Sequence, residues 1–398
     1  MQGHSTQGGT PSANPEPEPP ADASSNNSSL RYSIEEITSE EGLSSLEPDW
    51  NRLSETAEHP NVFMTFDWFR AWNHHFTQQE RGKRRPHVLV LKNGGGIVGI
   101  LPLIFRRASR FGVAVRKLEF VETLADYHDF ALGNDPAGQI GAIAHFLAAT
   151  RDQWDVVELR DLRETGYTRA LIGGALAQVG LHYRVLTEKE RCPYLPIAGD
   201  SATQLEKLSG HVRRTLHKRM ERAQALGMRV RIIENPQDEH GLLEKMIALE
   251  AQKRSDGKPT EPFIGEYRKV FQSLLDTLGP RHWVYVALME LEGRPVAWQF
   301  GFRCGKRLWD YNKAFDHTFS RYAPGTLLVA ALLDYGFSHG YEEYDFLRGE
   351  EPYKTVWSTR FHERFRLQIW SDRLIARTRA FVYLDFKTAV YRLLGKGD

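Results

Sequence analysis

The sequence predicts an α/β protein of two tandem halves, each a mixed, mostly antiparallel sheet flanked by helices. Three observations predict it. The chain has 398 residues, too many for one ordinary core and comfortable for two, and it is 41% hydrophobic and 26% charged, the balance of a globular chain. Paired apolar runs bracket a glycine turn twice, at Gly94-Gly95-Gly96 and at Glu292-Gly293, each pair reading as a β-hairpin. Beyond each hairpin, helix and strand patterns alternate up to a strand that carries an acid, Trp154–Glu158 in one half and Tyr341–Asp345 in the other.

Residues 1–30 are rich in Pro, Ser, Asn and Gly, and no Lys or Arg precedes Arg31. A disordered tail is expected there, without the basic flank and apolar core of a secretory signal. The first half is expected over 31–190. It opens on an alternating strand at Arg31, then a helix holding Leu43, Leu46, Trp50 and Leu53, and a second from Thr65 with Phe66, Phe69, Trp72 and Phe76 at helical spacing. Strands Pro86–Lys92 and Ile97–Phe105 form the hairpin. Helix Ile140–Ala149, strand Trp154–Leu159, helix Tyr167–Val179 and strand His182–Leu186 follow. The second half, over 191–375, begins with a helix from Ala202 to Leu226 that stops at Gly227, and continues with strand Met228–Ile233. Helices Glu239–Lys253 and Gly265–Leu278 lead to the hairpin Trp283–Leu291 and Pro295–Phe302. Strand Arg307–Ala314, helix Gly325–Ser338, strand Tyr344–Leu347 and a return through Phe361–Ile369 complete it, with a helical tail over 376–398.

Composition narrows the function. A net charge of +1 gives no global attraction to nucleic acid, and no RNA- or DNA-binding motif is present. The two cysteines and fifteen histidines fall in no metal-binding spacing, so no metal is expected. The longest apolar runs, such as Gly96–Phe105 and Thr326–Leu333, are too short to span a bilayer, and a cytoplasmic protein is expected.

Three segments could carry chemistry. In Tyr311 to Thr326 a strand ends, a loop turns on Pro324-Gly325, and an apolar helix begins; a helix start of this kind suits a diphosphate, with Arg321, Pro324, Gly325 and Thr326 around it. In Tyr344 to Trp357, Asp345 is a candidate general base, Tyr353 a candidate acid, and Arg348 and Lys354 are phosphate or orienting contacts; a salt bridge that merely fixes the turn explains the same residues. The basic face His211, Arg214, Lys218 and Arg222 reads as a solvated helix surface or an anion contact. In the first half, Asp126, Tyr127 and His128 share a loop that could meet a substrate, as could Trp357, while the aromatic stretch Phe63–Trp72 reads as core.

Phe63-Met-Thr65-Phe66-Asp67-Trp68 with Trp72, the helix at Arg213-Arg214, the Ser320 to Gly325 loop and Asp345-Phe-Leu-Arg348-Gly-Glu-Glu-Pro-Tyr353-Lys354 with Trp357 resemble the bacterial GNAT acetyltransferase subfamily associated with cellulose and exopolysaccharide biosynthesis. That subfamily is itself similar to the Fem-type aminoacyl transferases. The resemblance runs over about residues 31 to 375 and implies a tandem GNAT fold, an acyl-CoA donor, a small-molecule or saccharide acceptor, and a first half that is a degenerate scaffold. GNAT phosphate loops carry several spaced glycines, whereas Arg321 to Thr326 has one, so an aminoacyl-tRNA donor and a non-catalytic binding role stay open.

Overall fold

A computed structural model describes residues 31–80, 82–121, 124–199, 206, 208–252, 267–371 and 373–384. The tail expected over 1–30, the helix starts near Ala202 and Gly265, and residues 385–398 of the C-terminal tail lie outside them. The first half contains β1 (Ser33–Ile37), α1 (Glu40–Ser44), α2 (Glu47–Thr56), α3 (Phe66–Gln79), β2 (Arg84–Pro86), β3 (Val88–Asn93), β4 (Gly96–Leu101), β5 (Leu103–Arg110), β6 (Val113–Phe120), β7 (Ala131–Leu132), α4 (Pro136–Ala149), β8 (Val156–Arg163), α5 (Tyr167–Gln178) and β9 (His182–Thr187). The second contains β10 (Cys192–Pro196), α6 (Gly210–Ala225), β11 (Arg229–Ile233), α7 (Leu242–Gln252), α8 (Arg268–Leu278), β12 (Val284–Leu291), β13 (Arg294–Cys304), β14 (Arg307–Phe315), α9 (Pro324–Ser338), β15 (Glu343–Asp345), α10 (Pro352–Thr355), β16 (Phe361–His362), β17 (Arg364–Trp370) and α11 (Leu374–Leu384).

Local chemistry sets the element ends. Thr65 caps α3 by accepting from the Trp68 N–H, and Ser209 caps α6 through the Val212 N–H, which is why that helix starts at Gly210. Helix α9 has proline in its first turn and closes on Gly340, whose φ of 72° lets the Tyr341 N–H return to the Gly336 carbonyl. The strand expected over Ile97–Phe105 is instead two. Pro102 has no N–H for a ladder, and β4 and β5 part there into different sheets.

The strands form a four-stranded sheet in the order β1-β3-β4-β7, a six-stranded sheet β2-β5-β6-β8-β17-β9, and a seven-stranded sheet β11-β12-β13-β14-β15-β10-β16. Here the expected division at 190 needs correction. Strand β17 lies within 191–375, yet it fills the gap between β8 and β9 in the sheet of the first half, antiparallel to both. Its alternation explains the placement. Phe365, Leu367 and Ile369 enter the core beneath that sheet, while the Gln368 amide on the other face donates to Glu158 at 2.8 Å.

One apolar core joins the halves. Trp50, Phe63, Phe66 and Trp68 pack with Phe271, Phe302 and Trp309, and the Phe63 and Trp309 rings stack with centroids 5.4 Å apart. The aromatic stretch Phe63–Trp72 is thus the seam between halves. A separate core lies on the opposite face of the seven-stranded sheet, under α6 and α9, and includes Tyr344, Phe346, Leu328 and Trp357.

Candidate active site

Strands β14 and β15 run parallel and pair from Arg307–Glu343 to Trp309–Asp345. Beyond that rung β14 continues to Phe315, whereas the chain after Asp345 turns away through Leu347, held at a φ of 57°. The sheet therefore opens between the two strands, and the 317–322 turn carries the chain from the end of β14 to the start of α9.

A bulge decides what faces this opening. Gly301 pairs with Asp310 but Phe300 pairs with Asn312, so Tyr311 is an extra residue in β14. Unbroken alternation would send Asp310 and Lys313 to opposite faces. The extra residue brings both to the face of α9. The Lys313 ammonium lies 2.5 Å from an Asp310 carboxylate oxygen and 4.3 Å from the centre of the Tyr353 ring. A side-chain carbon placed on Gly325 would stand 3.7 Å from Lys313 Cδ, so the lysine reaches the first turn of α9. That turn has no side-chain cap, because its N-cap is Ala323 in the left-handed region. Burial lowers the pKa of Lys313, which Asp310 opposes, and burial with the nearby Asp310 raises that of the Tyr353 phenol.

Asp345 faces the other way. It is fully buried against the seam, where Oδ2 accepts from the Tyr127 hydroxyl at 2.8 Å and Oδ1 from the Leu347 N–H at 2.8 Å. Burial raises its pKa to about 6. Its neighbours are Glu343 and His362, whose side chains bond at 3.2 Å, with Arg163 reaching His362 at 3.0 Å and Arg307 reaching Glu343 at 3.2 Å. Glu343, Asp345 and His362 offer ligand atoms within 4.8 Å of one another, a grouping drawn from two strands that sequence spacing could not reveal. The guanidinium groups of Arg163 and Arg307 already supply positive charge there.

The residues expected to share one cleft thus divide. Tyr353, Pro324, Gly325 and Thr326 lie on the α9 face of the sheet, and Asp345 on the seam face. Arg321 is exposed and turned onto Tyr322, its guanidinium 2.8 Å from that hydroxyl, away from an anion-binding pose. Arg348 bonds Asp126 at 2.9 Å and Lys354 bonds the Arg348 carbonyl at 2.6 Å, so both clamp the turn after β15. The loop Asp126-Tyr127-His128 belongs to the seam: Tyr127 holds Asp345, and His128 stacks on Phe120 with burial driving its pKa to about 3. Trp357 is buried at the edge of a cavity with Leu195 and Leu208. Lys313 and Asp310 were not singled out in the sequence, since the bulge that joins them leaves no local signature. A cavity of about 810 Å³ runs along α9 between Leu327 and Phe337 against α6 and β11; its lining is mostly apolar, so it offers room and little chemistry.

Comparison with known proteins bears on this half. Residues 210–355 match the family model described as an acetyltransferase (GNAT) domain. That match covers less than half of the chain. No curated protein matches the chain. Among solved structures, FemX superposes with a TM-score of 0.57 at 11% identity, covering 91% of this chain and 99% of FemX. A conserved protein of unknown function from Bacteroides thetaiotaomicron gives 0.55 at 12% identity, covering 85% and 99%. The C-terminal domain of a putative lysylphosphatidylglycerol synthetase from Agrobacterium fabrum gives 0.52 at 11% identity, covering 84% and 94%. At such identities the likeness is one of fold. The matched stretch spans the β14 bulge, the start of α9 and β15, which are the parts that build the opening.

Proposed function

We propose that the GNAT half transfers an acyl group from an acyl-CoA to an amine or hydroxyl of a small-molecule or saccharide acceptor. The observation that carries the reading is Lys313 beside Gly325. A buried ammonium and an uncapped helix start converge at the mouth of the opening between β14 and β15, where a donor's diphosphate would be met by both. The acceptor attacks the thioester carbonyl, the C–S bond breaks, and the thiolate departs. The acceptor gives up one proton and the thiolate takes one up; Tyr353, whose pKa burial raises, is a poor acid for that step, and Lys313, at the diphosphate, stands a pantetheine arm away from the sulfur. Asp345, on the seam face, serves as a positioning residue: its carboxylate holds the Leu347 turn and Tyr127 in register with the end of β15.

The first half supports the same assignment by contrast. Its α4 also begins on proline, but Asp135 caps it, with one carboxylate oxygen accepting from the Gly138 N–H and the other from the Tyr32 hydroxyl at 2.6 Å. A carboxylate already stands where a phosphate would bind, which fits a scaffold role for this half.

Calorimetric titration with acetyl-CoA and longer acyl-CoAs tests the reading. Binding is expected from the unmodified chain, and Lys313→Met is expected to weaken it by roughly tenfold or more. No heat from the unmodified chain at high micromolar donor would remove the basis for an acyl-CoA enzyme. An aminoacyl-tRNA donor is a second reading, favoured by the exposed Arg213, Arg214, Lys218 and Arg222 on α6, which packs against the 317–322 turn. It predicts RNA retention that falls steeply with salt.

A further inference from the structure

The most exposed large apolar side chains among the described residues are Leu374 at 79%, Ile375 at 63%, Phe111 at 60% and Phe381 at 49%. All belong to one end of the six-stranded sheet. Strand β6 runs parallel to β8 with Lys117 opposite Val156, and β17 ends with Trp370 opposite the same Val156. The β5–β6 hairpin therefore overhangs the start of β8, and Phe111 lies at its turn. Helix α11 begins just after β17 and packs on this overhang: Ala380 is buried with Val115 and Val156, and Tyr383 and Leu384 pack beside Val113. Its inward face is thus formed by Ala376, Ala380, Tyr383 and Leu384, while Leu374, Ile375 and Phe381 are exposed.

Charge accompanies the apolar side chains. Arg373, just before α11, and Arg377, on it, are exposed, and among the described residues no carboxylate forms an ion pair with them. Asp155, which meets the helix through Arg379 at 3.2 Å, is also paired with Arg116 at 3.0 Å. Four of the most exposed apolar side chains, Phe111, Leu374, Ile375 and Phe381, thus lie at this end of the sheet together with Arg373 and Arg377. Lone exposed leucines need no explanation, but several together with arginines mark an interaction surface. Protruding apolar side chains among arginines match the boundary of a bilayer, where acyl chains take the former and anionic headgroups the latter.

We propose that α11 and the β5–β6 turn form a docking surface for an anionic membrane. No described helix is long and apolar enough to cross a bilayer; the surface is one for peripheral attachment. This proposal does not depend on the acyl-transfer reading, because the patch lies in the other half's sheet.

Co-sedimentation of the full chain with vesicles tests it, comparing phosphatidylcholine alone with roughly three parts phosphatidylcholine to one of phosphatidylglycerol. Binding is expected to the anionic vesicles, to be weaker on the neutral ones, and to fall as salt rises. Leu374→Glu with Ile375→Glu, and separately Phe111→Glu, are each expected to reduce it about tenfold or more with unchanged thermal unfolding. Failure of the unmodified chain to bind anionic vesicles overturns the proposal, as does equal binding by the variants. So does a dimer in solution that the variants dissolve while vesicle binding is absent, since that assigns the surface to a second copy.

Discussion

Asp310 is 1% exposed and Lys313 16%, and the two side chains form an ion pair. Removing one partner of such a pair leaves an uncompensated buried charge. Lys313→Met is therefore expected to destabilise the protein by about 3–5 kcal/mol in urea unfolding, and adding Asp310→Leu to recover most of that. If the double variant is no better than the single, Asp310 has another stabilising partner. Asp345 makes a different prediction. Its pKa rises from 3.8 to about 6 on folding, so between those values the folded state holds the proton more tightly than the unfolded chain. Its contribution is most favourable below the unfolded pKa and diminishes as pH rises through 6. Asp345→Asn keeps the shape without the titration, so its Tm relative to the unmodified protein is expected to climb between about pH 4 and pH 7. A constant offset across that range would show that Asp345 is ionised in the folded state throughout.

The β14 bulge acts at the scale of the element. Gly301 sits opposite it with its Cα hydrogen against the Trp309 carbonyl and the Tyr285 ring, leaving no room for a methyl group. Gly301→Ala is expected to cost about 2–3 kcal/mol, since overpacking a filled site strains the backbone. It should also lower acyl-CoA affinity by levering β14 off β13, measurable in the same titration. This element also shows how far sequence reading reaches. Strand β14 was legible from its apolar run, and α9 from Pro324-Gly325 and the apolar residues that follow. The extra residue was not, because Tyr311 reads like any other strand aromatic and a bulge is set by how two strands register. The same limit applies to His362 and Glu343, which meet because β16 and β15 both pair with β10. Arg348 and Lys354 stood out as polar groups after a strand, and their use as turn clamps depended on where Asp126 and the Arg348 carbonyl ended up.

For the whole molecule, the crossing of β17 and the shared aromatic seam tie the halves together. Urea unfolding followed by fluorescence and by circular dichroism is expected to give coincident transitions. Separate transitions would mean that the halves unfold independently despite the seam. Ending the chain after residue 363 removes the strand between β8 and β9 and should leave no folded first half, because Phe365, Leu367 and Ile369 would be lost from its core. The repeat of hairpin, helix and acid-bearing strand was visible in the sequence, whereas this exchange was not: β17 carries an ordinary strand pattern that does not say which sheet receives it. There is a consequence for synthesis. Strands β8 and β9 leave the ribosome early but do not pair with each other, and the segment that must come between them is translated almost last. At about 5–20 residues per second, the growing chain carries two open strand edges for on the order of ten seconds or more, a window in which chaperones or a neighbouring nascent chain could compete for them.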